Sequence, residues 1–100
     1  MDTREIAAQL KESMRISTDA LDNELLRNAE MCLDDLERVG VRREDKNGGR
    51  LSRLGYVGLR EKAIELYVKW QFDFMGKGEM YRRNYEALRD ALSMSEDYRE

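Results

Sequence analysis

The chain contains no proline, and its glycines fall in only two places: between Gly40 and Gly58, and at Gly76 and Gly78. Proline costs about 3 kcal/mol inside a helix and glycine about 1 kcal/mol. Everything outside those two stretches is therefore open to uninterrupted helix. The blocks are rich in Ala, Leu, Glu, Lys, Arg and Met, which favour that state. An all-α fold is predicted: a small four-helix domain, residues 1–100, with a long loop between helices 2 and 3.

The periodicity places the helices. Ile6, Leu10 and Met14 recur at i, i+4, i+8, so one apolar face runs over about 3–14, capped by Thr3 or Asp2. Ser17, Thr18 or Asp19 can cap a second helix over about 20–39. Its stripe is Leu21, Leu25, Ala29, Cys32, Leu33 and Leu36, and Gly40 stands where a left-handed cap belongs. A third helix is predicted over about 58–75. One face reads Leu59, Ala63, Leu66, Tyr67, Trp70 and Phe74; a second reads Ile64, Val68 and Met75. So wide an apolar arc marks a helix contacted from several sides. Gly76-Lys77-Gly78 reads as a helix–helix turn. The fourth helix, about 79–92, carries Tyr81, Tyr85, Leu88 and Leu92 on one face.

From Gly40 to Tyr56 no period is present, and Asn47-Gly48-Gly49 is a turn signal. A mobile loop is expected there, with a short hairpin of Val41 against Leu51 or Leu54 as the alternative. Connections this long are often functional. The charge is concentrated in the same place. Residues 1–40 carry a net −5, residues 41–62 a net +4 and residues 63–100 a net −2.

Composition narrows the chemistry. With no His and a single Cys, the commonest neutral-pH base and the commonest zinc ligands are missing. No internal disulfide is possible with one Cys. Cys32 falls on an apolar face, where a free thiol behaves as a small hydrophobe. The acidic pairs Asp34-Asp35, Asp19/Asp22 and Glu96-Asp97 read as solvated charge and lack EF-hand spacing. Most aromatics follow helical spacing and read as core; Phe72 falls off the stripe, as an interface residue would. NGGR and GKGE lack phosphate-loop spacing. No stretch reaches the roughly 20 apolar residues of a membrane span. The charged, amphipathic first residues are unlike a signal peptide. The expectation is an intracellular protein that is not an enzyme and uses no cofactor or metal.

Three stretches resemble the phage head–tail connector family, the DNA-packaging or head-completion adaptors. Met14-Arg15-Ile16-Ser17-Thr18-Asp19, running on to Leu25, is similar to the family's approach to its second helix. Leu59-Arg60-Glu61-Lys62-Ala63-Ile64-Glu65-Leu66-Tyr67-Val68-Lys69-Trp70 is similar to its third helix. Tyr81 to Tyr98, with the ending Leu92-Ser93-Met94-Ser95-Glu96-Asp97-Tyr98, is similar to its C-terminal region. Relatives often begin the third helix with Asp-Pro, where this chain has Val57-Gly58. The loop before it is also more basic and glycine-rich than is usual in the family.

The resemblance implies a non-enzymatic subunit that self-associates into a ring on the portal protein of a filled capsid. Such a ring extends the DNA channel and docks the next head–tail joining protein. It implies the virion head–tail interface as the location, with the bacterial cytoplasm before assembly. The candidate assembly, portal or DNA-channel residues are Arg42, Arg43, Lys46, Arg50, Arg53 and Tyr56. Met94 and Tyr98 are candidate C-terminal contacts. Non-specific contact with channel DNA is compatible with the basic loop. No membrane or small-molecule partner is expected. The acidic face of residues 1–40 is expected to meet the basic segment of a neighbour.

Two other readings fit the same residues. One is a helical DNA-binding regulator using Arg82, Arg83, Asn84 and Arg89 of the fourth helix, although a net acidic chain is unlike a DNA-binding footprint. The other is a helical adaptor for a protein partner.

Overall fold

A computed structural model describes residues 3–43 and 58–100. Four α-helices follow one another among these residues: α1 (Thr3–Met14), α2 (Asp22–Arg38), α3 (Leu59–Gln71) and α4 (Gly78–Ser93). A short 3-10 turn, Phe74–Gly76, precedes α4. The domain is all-α, and no strand is present among the described residues.

Helix α1 buries Ile6, Ala7, Leu10 and Met14, the face that its spacing dictates. It ends in a Schellman motif. The Ile16 N–H donates to the Lys11 carbonyl at 2.8 Å, and Arg15 takes a left-handed φ of 57°. The Lys11 ammonium then reaches forward to Asp19 and, at 3.1 Å, to Asp22. That ties α1 to the start of α2.

Helix α2 begins at Asp22, two residues later than its sequence suggests. Thr18 Oγ1 accepts a bond from the Ala20 N–H at 3.1 Å, which closes a local turn before the helix can start. No side chain caps α2; Leu21 holds the N-cap position. The far end behaves as its glycine requires. Gly40 has φ +91°, its N–H donates to the Glu37 carbonyl at 3.0 Å, and the Val41 N–H donates to Leu36 at 2.9 Å. Leu36 and Val41 are both buried, the apolar pair that accompanies such a cap.

Helix α3 packs against the other three helices. Ala63, Ile64, Leu66, Tyr67 and Val68 are buried along it. It stops at Gln71, four residues short of the predicted Met75. The reason is local. Asp73 turns left-handed, with φ 47°, and its Oδ1 accepts the Gly78 N–H at 2.8 Å. A carboxylate at the positive end of α4 suits the helix dipole. Met75 is also left-handed and is 75% exposed, so it leaves the apolar face assigned to it. Phe72 is half-buried and packs on the core. Helix α4 buries Tyr85 and Leu92 and lays Tyr81 and Leu88 against the core.

The chain end completes the fold. Val41 forms an isolated antiparallel bridge with Arg99. The Arg42 N–H donates to the Tyr98 carbonyl at 2.8 Å, and the Glu100 N–H to the Gly40 carbonyl at 2.9 Å. Val41 thus pairs with the C-terminal residues; Leu51 and Leu54, the partners the hairpin alternative names, lie outside the described residues. Gly40→Ala places a Cβ on a positive φ at the hinge of this pairing. It should cost about 1 kcal/mol, read as a lower urea midpoint with an unchanged slope.

Candidate functional site

Of the candidate residues that the structure describes, Arg42, Arg43 and Tyr98 meet at or against the exit of α2, while Met94 closes α4. Arg60, on the first turn of α3, is only 2% exposed. Its Nε donates to the Arg42 carbonyl at 2.7 Å, and its guanidinium carbon lies 5.2 Å from the centre of the Tyr98 ring. Guanidinium faces stack well on aromatic rings. The Arg42 side chain donates through Nε to the Arg99 carbonyl at 3.0 Å and through Nη2 to the Asp97 carbonyl. One seam therefore joins 40–43, the start of α3 and residues 97–100.

Arg43 leaves this seam and crosses α2. It pairs with Glu30, with Asp34 at 2.8 Å and with Glu37 at 3.8 Å. Those carboxylates recur at i, i+4 and i+7, so they share one helix face. Of the predicted C-terminal contacts, Tyr98 is half-buried in the seam, while Met94 is 81% exposed. Lys46, Arg50, Arg53 and Tyr56 lie outside the described residues.

A second polar cluster sits between α2 and α4. The Tyr85 hydroxyl donates to Asp35 Oδ2 at 2.7 Å. Arg89 Nη1 reaches the same oxygen at 3.3 Å, and Arg38 Nη2 reaches Oδ1 at 2.7 Å. Burial pushes the Asp35 carboxyl up, but the bonds from Tyr85, Arg38 and Arg89 outweigh it and hold it below its ordinary 3.8. Tyr85 is fully buried and meets Tyr67 edge-on at 5.2 Å, with Trp70 at 6.1 Å. Burial pushes the neighbouring Cys32 thiol up to about 12. Burial thus keeps the thiol protonated near neutral pH, and its three partners keep Asp35 ionised. No metal-holding group of three His, Cys, Asp or Glu residues occurs among the described residues. None of the described helices is long and apolar enough to cross a membrane.

The sequence does not announce Arg60 or Asp35. Arg60 counts as one charge of the basic segment, and Asp35 as half of a surface pair. A signal exists for both. Arg60 stands three and four residues before Ala63 and Ile64, and Asp35 stands three after Cys32, at the margins of apolar stripes. The arginines of α4 all have carboxylate neighbours. Arg82 meets Glu79 at 2.8 Å and Glu86 at 3.6 Å, Arg83 meets Glu79 at 3.5 Å, and Arg89 meets Asp35 and Asp90. That face is charge-balanced rather than basic.

The fold and the seam together define a small all-α domain in which Arg42, Arg60 and Asp35 tie chain segments together. No protein-family model, no curated protein and no solved structure matches the chain.

Two outcomes follow from the clusters. Arg60→Lys keeps the charge but loses the stacked plane and the Nε donor. It should cost about 1–3 kcal/mol in urea denaturation and speed hydrogen exchange at the Arg42 and Glu100 amides. For Asp35 the sign follows from a folded pKa below the unfolded one. Its stabilisation is complete above the ordinary carboxylate range and is lost as pH falls through the folded value. Thermal melts between about pH 5 and 2 should therefore show a shallower acid decline for Asp35→Asn than for the parent chain.

Proposed function

We propose that the chain is a head–tail connector of a tailed phage or prophage. In this reading it binds the portal vertex as an oligomeric ring after DNA packaging. The ring continues the DNA channel and offers a docking surface to the next head–tail joining protein. The order of the three resembling stretches motivates the reading. The observation that carries it is the seam, where residues 40–43, the first turn of α3 and residues 97–100 are bonded into one patch.

Sequence nominates two separate contact elements, the segment after α2 and the C-terminal tail. Residues 42–43 and the first turn of α3, which flank residues 44–57 in the sequence, meet the tail at this patch, so one end of the domain can present them together. A partner that engages both buries one continuous surface, which favours a specific contact over two weak ones. The portal protein is the partner in this reading, and neighbouring copies flank it around the ring. Channel DNA is a further non-specific contact for the basic residues 42–53.

The test is cryo-electron microscopy of the full chain mixed with DNA-filled, portal-bearing heads of the phage that encodes it. The expected outcome is an added ring of density below the portal. Heads that gain no density, with a chain shown folded by circular dichroism, would overturn the proposal.

A further inference from the structure

The two sides of the seam are built differently. The side that belongs to the helical body is shut off from solvent: Leu36 and Val41 are fully buried and Arg60 nearly so. The side made by residues 95–100 is open to it. Ser95 and Tyr98 are half-buried, while Glu96, Asp97, Arg99 and Glu100 are exposed. Met94, which joins this segment to α4, is exposed as well.

The bonds across the seam differ in the same way. The body holds the segment chiefly by its backbone. The Arg42 N–H donates to the Tyr98 carbonyl, the Glu100 N–H to the Gly40 carbonyl, and the Arg42 guanidinium to the carbonyls of Asp97 and Arg99. Tyr98 supplies the side-chain anchor, with its ring against the core and on Arg60. Within the segment, the N–H groups of Tyr98 and Arg99 both donate to the Ser95 carbonyl, at 3.2 and 3.0 Å. It is therefore a closed turn that can move as a piece. Lifting it removes no fully buried side chain from the core, and local opening favours places with exposed backbone bonds and little buried apolar surface.

We infer that residues 95–100 form a strap that opens as one unit while α1–α4 stay folded. Opening uncovers Val41 and the ring-facing side of Arg60, and it frees the Arg42 N–H and the Gly40 carbonyl as an extended edge. Closed, the strap withholds both that edge and itself. A partner that takes hold of either one binds only the open chain, so its apparent affinity is lowered in proportion to the open fraction. Engaging one also releases the other, which couples the two contact elements. The strap is thus a regulator of the patch. It goes beyond the connector reading and stands without it, because opening is a property of the chain alone.

The experiment is native-state hydrogen exchange, followed by NMR on the full chain over a range of low urea concentrations. The Arg42 and Glu100 amides should exchange through one shared opening that depends only weakly on urea. The mid-helix amides of Tyr67 and Tyr85 should exchange at least about a hundredfold more slowly, with the steep urea dependence of global unfolding. Tyr98→Ala should speed the Arg42 and Glu100 amides by a common factor of about tenfold or more and leave those of Tyr67 and Tyr85 as in the parent chain. Tyr98→Phe keeps the ring and should exchange like the parent chain. Arg42 and Glu100 amides that exchange only with Tyr67 and Tyr85 overturn the inference, because the seam then opens only when the domain unfolds. A Tyr98→Ala chain that speeds Glu100 and not Arg42, or all four amides alike, overturns it too, as does a Tyr98→Phe chain as fast as Tyr98→Ala. The connector reading fails separately, by heads that gain no ring.

Discussion

The guanidinium of Arg60 holds three parts of the chain at once. Its Nε bond fixes the carbonyl of Arg42 just after α2, its own backbone opens α3, and its face carries the Tyr98 ring of the C-terminal residues. A buried cation is costly unless hydrogen bonds and stacking replace its hydration. Here the Nε bond to Arg42 and the stacked Tyr98 ring offset part of that cost, with groups from distant points in the sequence, while Nη2 is buried without a hydrogen bond among the described residues. The burial of Arg60 therefore requires residues 42 and 98 to be in place. This is how a polar group specifies one arrangement where apolar packing alone tolerates several. Val41 follows from it, because the bridge to Arg99 forms only when the tail has been brought alongside.

Helix α3 is the other element on which the rest depends. It alone touches α1, α2 and α4 in extended contact, and its buried residues cover more than one side. Around it the polar side chains act as ties between neighbours. Lys11 binds α1 to the approach of α2, Ser13 and Lys69 meet on Glu65, and Tyr85 with Arg89 pins α4 to Asp35 of α2. Exposed ion pairs contribute little each. The part-buried ones between helices fix register more than they add stability, since each satisfies a group that burial would otherwise penalise.

What the sequence makes legible is what short-range physics controls. The faces of α1 and α2, the cap at Gly40 and the central place of α3 follow from spacing and glycine alone. The end of α3 does not. Phe74 and Met75 continue its apolar period, and only the capture of the Gly78 N–H by Asp73 breaks it. An aspartate five residues from a helix start is too common a pattern to read as a cap in advance. The site is less legible still. Arg42 and Arg43 are visible as basic residues, but their partners lie on α2 and at 97–99, and pairings over such separations leave no local trace. Arg60 is hidden by the same charge count that marks the loop as basic.

The charge pattern illustrates how a segment sum can mislead about contacts. Residues 1–40 carry a net −5 and residues 41–62 a net +4, which invites a contact between neighbouring copies through those two surfaces. Part of that complementarity is satisfied within the chain. Arg43 lies across Glu30, Asp34 and Glu37 of its own α2. Among the described residues Glu12 and Glu61 form no ion pair, and neither do Glu5 of α1 and Glu24 of α2; Glu61 belongs to the basic segment by sequence but lines a groove between α1 and α3 in space. An intermolecular contact gains only from charges that the fold has not already neutralised, because a satisfied pair must be broken before it can be exchanged.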